Sequence, residues 1–167
     1  LFDDYIDAKL FNPITVALAL IVYGVIMIVL ENRKSTPKVS DFKDLSYKTA
    51  IGIGLFQCLA LVPGTSRSAS TIIGATLLGT SRYIATEFSF FLAIPTMVGA
   101  SLLKLLKCGF TFGALEWGVL LIGSLVSFIV SVVVIKYLLA YIKKHDFKIF
   151  GYYRIVLGII ILGYFFM

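Results

Sequence analysis

Residues 62–71 read VPGTSRSAST, and between two apolar runs they place an arginine, Arg67, where hydropathy calls for lipid. An unpaired guanidinium in hydrocarbon costs from ~2.5 to over ~10 kcal/mol depending on the scale, so an intramembrane arginine marks a site with an anionic partner to be found. Pro63 and Gly64 break the incoming helix. The returning helix is expected to start near Ser68, turning its unpaired N–H groups and positive dipole end toward the break. Such an end binds anions. Ser66, Ser68, Ser70 and Thr71 add hydroxyls, and Arg67 can present a planar fork to phosphate oxygens, which a purely hydrophobic substrate pocket would not need. Two structural readings compete. Arg67 could pair with Glu87, and Ser66, Ser70 and Gly74 recur every four residues, a spacing that lets helices approach closely. For Ser70 packing and ligand contact weigh equally, whereas Ser66, in the turn beside Arg67, reads as functional.

The surroundings of this stretch are those of a membrane protein. Of the 167 residues, 59% are hydrophobic and 14% charged, and the mean hydropathy of +0.98 lies far above that of a soluble domain. The charges fall in a few short stretches, as loops between spans require. A net charge of +6 does not point to nucleic acid, because Lys and Arg sit mainly at the ends of apolar runs, where they meet lipid headgroups. Cys58 and Cys108 fall in or beside apolar segments without metal-ligand spacing and read as small buried hydrophobes. The chain starts at Leu1 with neither an initiator Met nor the layout of a signal peptide, so it is expected to begin inside a longer protein.

Four full spans are predicted, over residues 13–30, 83–106, 116–139 and 150–167. Asn12 caps the first, with Pro13 in its first turn, and Pro95 should kink the second. Segments 47–61 and 68–78 are too short to cross alone, and the irregular PGTSR backbone between them is tolerated at membrane depth only against protein or water. Residues 1–167 are therefore read as a single all-α, polytopic transmembrane domain in which 47–79 form a re-entrant helical hairpin. A hairpin returns to the side it left, so loops 31–48, 79–82 and 140–149 share a face. That face carries Arg33, Lys34, Lys38, Lys43, Lys48, Arg82, Lys143, Lys144 and Lys148, against Lys9, Lys104 and Lys107 on the other, which makes it cytoplasmic by the positive-inside rule. The PGTSR tip then opens to the extracytoplasmic side.

The pattern Pro63-Gly64-x-Ser66-Arg67-Ser68-x-x-Thr71 resembles a signature of the undecaprenyl pyrophosphate phosphatase family associated with bacitracin resistance. The likeness continues through "LFNPITV", "FQCLAL", "SRYIATEFSFFLAIPTMVGA" and the terminal "YRIVLGIII", covering essentially the whole chain. The resemblance implies a bacterial inner-membrane enzyme that removes the terminal phosphate of undecaprenyl diphosphate and recycles the lipid carrier for peptidoglycan synthesis. It also implies an inverted-repeat fold in which two hairpin tips meet. Carried onto this chain, Arg67 would clamp the diphosphate and Ser66 would act beside it, as a binding group or, in a minority reading, as nucleophile. Thr65, Ser68, Ser70 and Thr71 would hydrogen-bond phosphate oxygens, and Gly64 would permit close backbone approach. The family's Glu-rich segment and Pro-x-Ser-Ser-Thr-Gly-His motif are absent from this sequence. The resemblance therefore implies a divalent metal, Mg or Ca, whose ligands lie outside this chain, and makes the chain the C-terminal, phosphate-binding portion.

Anionic clamps of this kind also suit a transporter or flippase for a phosphorylated polyprenyl lipid. His145, in a basic loop, reads as a solvated loop residue, and a homo-oligomer is compatible with the sequence. Trp117, Tyr152 and Tyr153 fall at span ends, as aromatic belts do. Ser124, Ser127 and Ser131 share one helical face, where helix packing is expected.

Overall fold

The computed structural model describes residues 10–33, 36–109 and 112–166. Leu1, Lys9, Lys34 and Met167 lie outside them. Helix α1 is Pro13–Asn32, capped as expected, with Asn12 Oδ1 accepting from the Thr15 N–H at 2.8 Å. Helix α2, Tyr47–Gln57, starts at a Ser46 cap and runs into a 3₁₀ turn, Cys58–Leu61. Helix α3 is Arg67–Leu77, capped by Ser66. Helices α4 (Arg82–Cys108), α5 (Ala114–Ile142) and α6 (Lys148–Phe166) follow. Extended pairing among the described residues is a single bridge between Val39 and Thr80.

Helices α1, α4, α5 and α6 are long and apolar enough to cross a membrane. The 11 residues of α2 and of α3 reach only about 16 Å each at 1.5 Å per residue, roughly half a hydrocarbon core. Helix α4 continues through Pro95, which cannot donate to the carbonyl one turn back. Nearby, the Thr96 hydroxyl donates to Leu92 O at 3.0 Å and accepts from Gln57 Nε2 at 3.3 Å. These side-chain bonds supply polar contacts where the main-chain ladder is interrupted.

Close packing comes from small residues. A Cβ on Gly24 would stand 2.7 Å from Gly151 O, and one on Gly158 would stand 2.8 Å from Ala17 O, so α1 and α6 meet backbone to backbone. Such seams replace the hydrophobic driving force that lipid removes. A Cβ on Gly74 would overlap the Phe56 ring, which gives that position the packing role its spacing suggested. Met27, Ala69, Ile73, Ile142 and Phe147 form one buried cluster; Ile53, Ala75 and Ala85 form another.

Loops 31–48, 79–82 and 140–149 gather, as their expected placement on one face required. Lys38 and Val39 donate their N–H groups to Gly79 O, and Ser81 donates to Val39 O. Arg82 pairs with Glu31 at 2.6 Å, and Lys143 lies 4.6 Å from the Tyr83 ring centre.

Two expectations need correction. Cys58, at the start of the 3₁₀ turn, and Cys108, at the end of α4, are exposed rather than buried, because among the described residues no element covers them. Ser124, Ser127 and Ser131 are exposed too: α5 buries only Ile142, so among the described residues no helix covers that face.

Candidate functional site

The turn joining the two short helices is built by its own residues. Pro63 is buried, and Gly64 has φ +89°, a conformation open to glycine at no steric cost. A side chain there would also strike α1, since a Cβ would lie 2.6 Å from Val16 O. The close approach that Gly64 permits in this structure is thus to helix α1. Thr65 is 2% exposed, and its hydroxyl donates to Leu59 O at 3.0 Å and Val62 O at 2.8 Å, holding the turn closed.

Ser66 has φ 67°, a strained value for a residue with a Cβ, of the kind that collects at functional sites. Its hydroxyl accepts from the Ala69 N–H at 3.5 Å and lies 3.3 Å from Ser68 Oγ. Ser66 is exposed, and Ser68 and Arg67 are half-buried. The Arg67 Nη1 is buried without a hydrogen-bond partner among the described residues. The pairing of Arg67 with Glu87 is not formed: the two ion pairs among the described residues are Arg82–Glu31 and Lys148–Asp146. Glu87 instead accepts from the Tyr83 hydroxyl at 3.4 Å.

Farther along α3 the hydroxyls turn inward. Ser70 is fully buried and donates to Ser66 O at 3.1 Å. Thr71, also fully buried, lies 2.6 Å from Ser89 Oγ and 3.1 Å from Arg67 O. In this geometry Thr65, Ser70 and Thr71 brace the turn and the helix start, while Ser66 is exposed and Arg67 and Ser68 are half-buried at the helix N-terminus.

The sequence reading passed over Arg154. From α6 its Nη2 donates to Gly64 O at 2.7 Å and Thr65 O at 3.0 Å, and its Nε is buried without a partner among the described residues. The guanidinium carbon lies 6.0 Å from the centre of the Tyr23 ring, within cation–π range. Arg154 therefore ties the last helix to the turn. A cavity of about 270 Å³ opens beside it, with Ser66, Ser68, Thr86 and Ser89 on its polar wall and Met27 and Phe150 on its apolar wall. Arg67 is not among the residues lining that cavity.

The turn is richer in donors than in acceptors: the Arg67 guanidinium at the helix start, the Arg154 guanidinium on the cavity side, the hydroxyls of Ser66 and Ser68, which can donate or accept, and the first N–H groups of α3. Guanidinium groups and helix N-termini are donors of the kind that bind anions in general. The arrangement does not fit a divalent cation, which needs several carboxylate or carbonyl oxygens. Among the described residues there is no group of three His, Cys, Asp or Glu that could hold a metal.

The family model described as "Bacitracin resistance protein BacA" matches residues 1–160. The chain is 68% identical over 167 residues to "Undecaprenyl-diphosphatase 1" of Clostridioides difficile (strain 630), covering 100% of this chain and 61% of that protein. It is 62% identical over 164 residues to "Undecaprenyl-diphosphatase" of Enterococcus faecalis, covering 97% of this chain and 59% of the relative. The chain thus spans about three fifths of the length of the curated relatives it matches.

Proposed function

Because the chain belongs to the bacitracin resistance protein BacA family, we propose that it forms the phosphate-clamping part of an undecaprenyl-diphosphatase. The reaction is hydrolysis of a polyprenyl diphosphate: the P–O–P bond breaks, a water oxygen bonds to the terminal phosphorus, and the prenyl monophosphate leaves. The observation that carries this reading is the buried, unpartnered Nη1 of Arg67 at the N-terminus of α3. Charge on the transferring phosphoryl group spreads over its outer oxygens, so a fixed guanidinium and helix-end N–H groups stabilise the transition state.

Ser66 and Ser68 hold the diphosphate by hydrogen bonds. Ser66 is assigned binding rather than attack, because its neighbours are hydroxyls and backbone and a serine nucleophile needs a base. Thr65, Ser70 and Thr71 support the oxygens' donors from behind, and Arg154 orients the turn. The divalent ion that the resemblance implies, magnesium or calcium, would be held by groups supplied from outside this sequence. The short helices α2 and α3 are read as a re-entrant hairpin, one half of an inverted repeat, in a bacterial inner-membrane protein whose site opens away from the basic loops. Relatives named as diphosphatases favour hydrolysis over transport of the same lipid.

The test is phosphate release from undecaprenyl diphosphate by the detergent-solubilised protein carrying this sequence. Arg67→Ala should lower turnover by about 10²–10³-fold, the range for losing one preorganised donor to a developing oxyanion. Unchanged release in that variant, with the protein folded, would end the assignment.

A further inference from the structure

At the far end of α3 from the turn, a second cavity of about 490 Å³ opens among the loops, lined by Glu31, Arg33, Thr80, Arg82, Tyr83 and Lys143. Its charge is unbalanced. Glu31 and Arg82 neutralise one another at 2.6 Å. Arg33 and Lys143 are exposed and pair with no carboxylate among the described residues. Ser81, which also lines the cavity, is the N-cap of the 27-residue α4, so the positive end of that helix faces the same space.

A second observation is independent of the charges. Thr80 is 4% exposed, and its Oγ1 has no hydrogen-bond partner among the described residues. A buried hydroxyl without a partner costs free energy unless a ligand or water supplies one. Part of the lining is apolar, made by Leu30, Leu77 and Ile142.

We propose that this cavity binds the phosphate of an acidic phospholipid headgroup. Basic pockets between membrane helices on the side rich in Lys and Arg take anionic headgroups in this way. Inorganic phosphate shares the oxygens, but it has nothing to place against Leu30, Leu77 and Ile142. A zwitterionic headgroup brings a cation toward Arg33 and Lys143. The site is separate from the turn at Arg67, and the assignment does not depend on the diphosphatase reading.

Native mass spectrometry of the detergent-solubilised protein, with phosphatidylglycerol and phosphatidylcholine supplied in turn, tests it. Phosphatidylglycerol adducts should survive roughly thirtyfold more strongly than phosphatidylcholine adducts, as two cations without a carboxylate partner at a membrane surface imply. The double variant R33Q/K143Q should abolish the preference, and K104Q/K107Q, with the same charge change at the other end of the molecule, should keep it. Equal retention of the two lipids overturns the proposal. So does an unchanged preference in R33Q/K143Q, or its equal loss in K104Q/K107Q. Displacement of phosphatidylglycerol by an equal concentration of inorganic phosphate overturns the lipid assignment.

Discussion

Arg67 was legible because a charge inside an apolar run has few explanations, and Gly64 because Pro-Gly ends a helix. Arg154 carries the same first signal, a guanidinium six residues into an apolar helix. Its partners, however, are the carbonyls of Gly64 and Thr65, and backbone acceptors leave no trace in side-chain composition. Substituting Gly64 by Ala should destabilise the protein by about 1–3 kcal/mol, from the positive φ and the contact with Val16, read as a lower thermal midpoint in detergent. Arg154→Gln should leave the two carbonyls with a weaker, neutral donor. Loss of a charged hydrogen bond of this kind costs about 1.5–3 kcal/mol. If Arg154 acts by orienting the turn, Arg154→Lys should recover part of the turnover, measured as phosphate release, whereas Arg67→Lys should recover little because the planar fork is gone.

Asn12, Ser46, Ser66 and Ser81 each cap the helix that begins beside them; the sequence reading used Asn12 alone, and the helix expected to start near Ser68 starts at Arg67 because Ser66 caps it. What the helices pack against was harder to read. Membrane helices are apolar on every side, so a buried stripe does not stand out from a lipid-facing one. The exposure of Ser124, Ser127 and Ser131, and of both cysteines, shows the limit of reading burial from residue type. The seam between α1 and α6 was missed for the same reason, although Gly24, Gly151 and Gly158 mark it. Gly151→Leu should force the two backbones apart and cost about 1–3 kcal/mol, the usual range for overpacking, seen as earlier thermal unfolding. The same change at Gly118, where a Cβ would meet no described atom within 4 Å, should have little effect in the same assay.

Across the molecule, the gathering of loops 31–48, 79–82 and 140–149 was deducible because segment 47–79, read as a hairpin, returns to the side it left; charge bears only on which side that is. Which side of the membrane they face is open to direct labelling. In a background with Cys58 and Cys108 replaced by Ala, Ser66→Cys should react with a membrane-impermeant maleimide in intact cells, and Ser40→Cys only after permeabilisation. The reverse pattern would invert the assignment. Helix α5, 29 residues long, measures about 43 Å at 1.5 Å per residue against a hydrocarbon core of about 30 Å. The apolar run of α5 between Glu116 and Lys136 spans about 28 Å and matches that core, so the helix carries its remaining turns past the hydrocarbon. Its last turn carries Ile142, which lines both cavities, and is followed by Lys143 at the larger one. A change in bilayer thickness that tilts α5 should therefore reach the protein's interior through Ile142 and reshape the two cavities together.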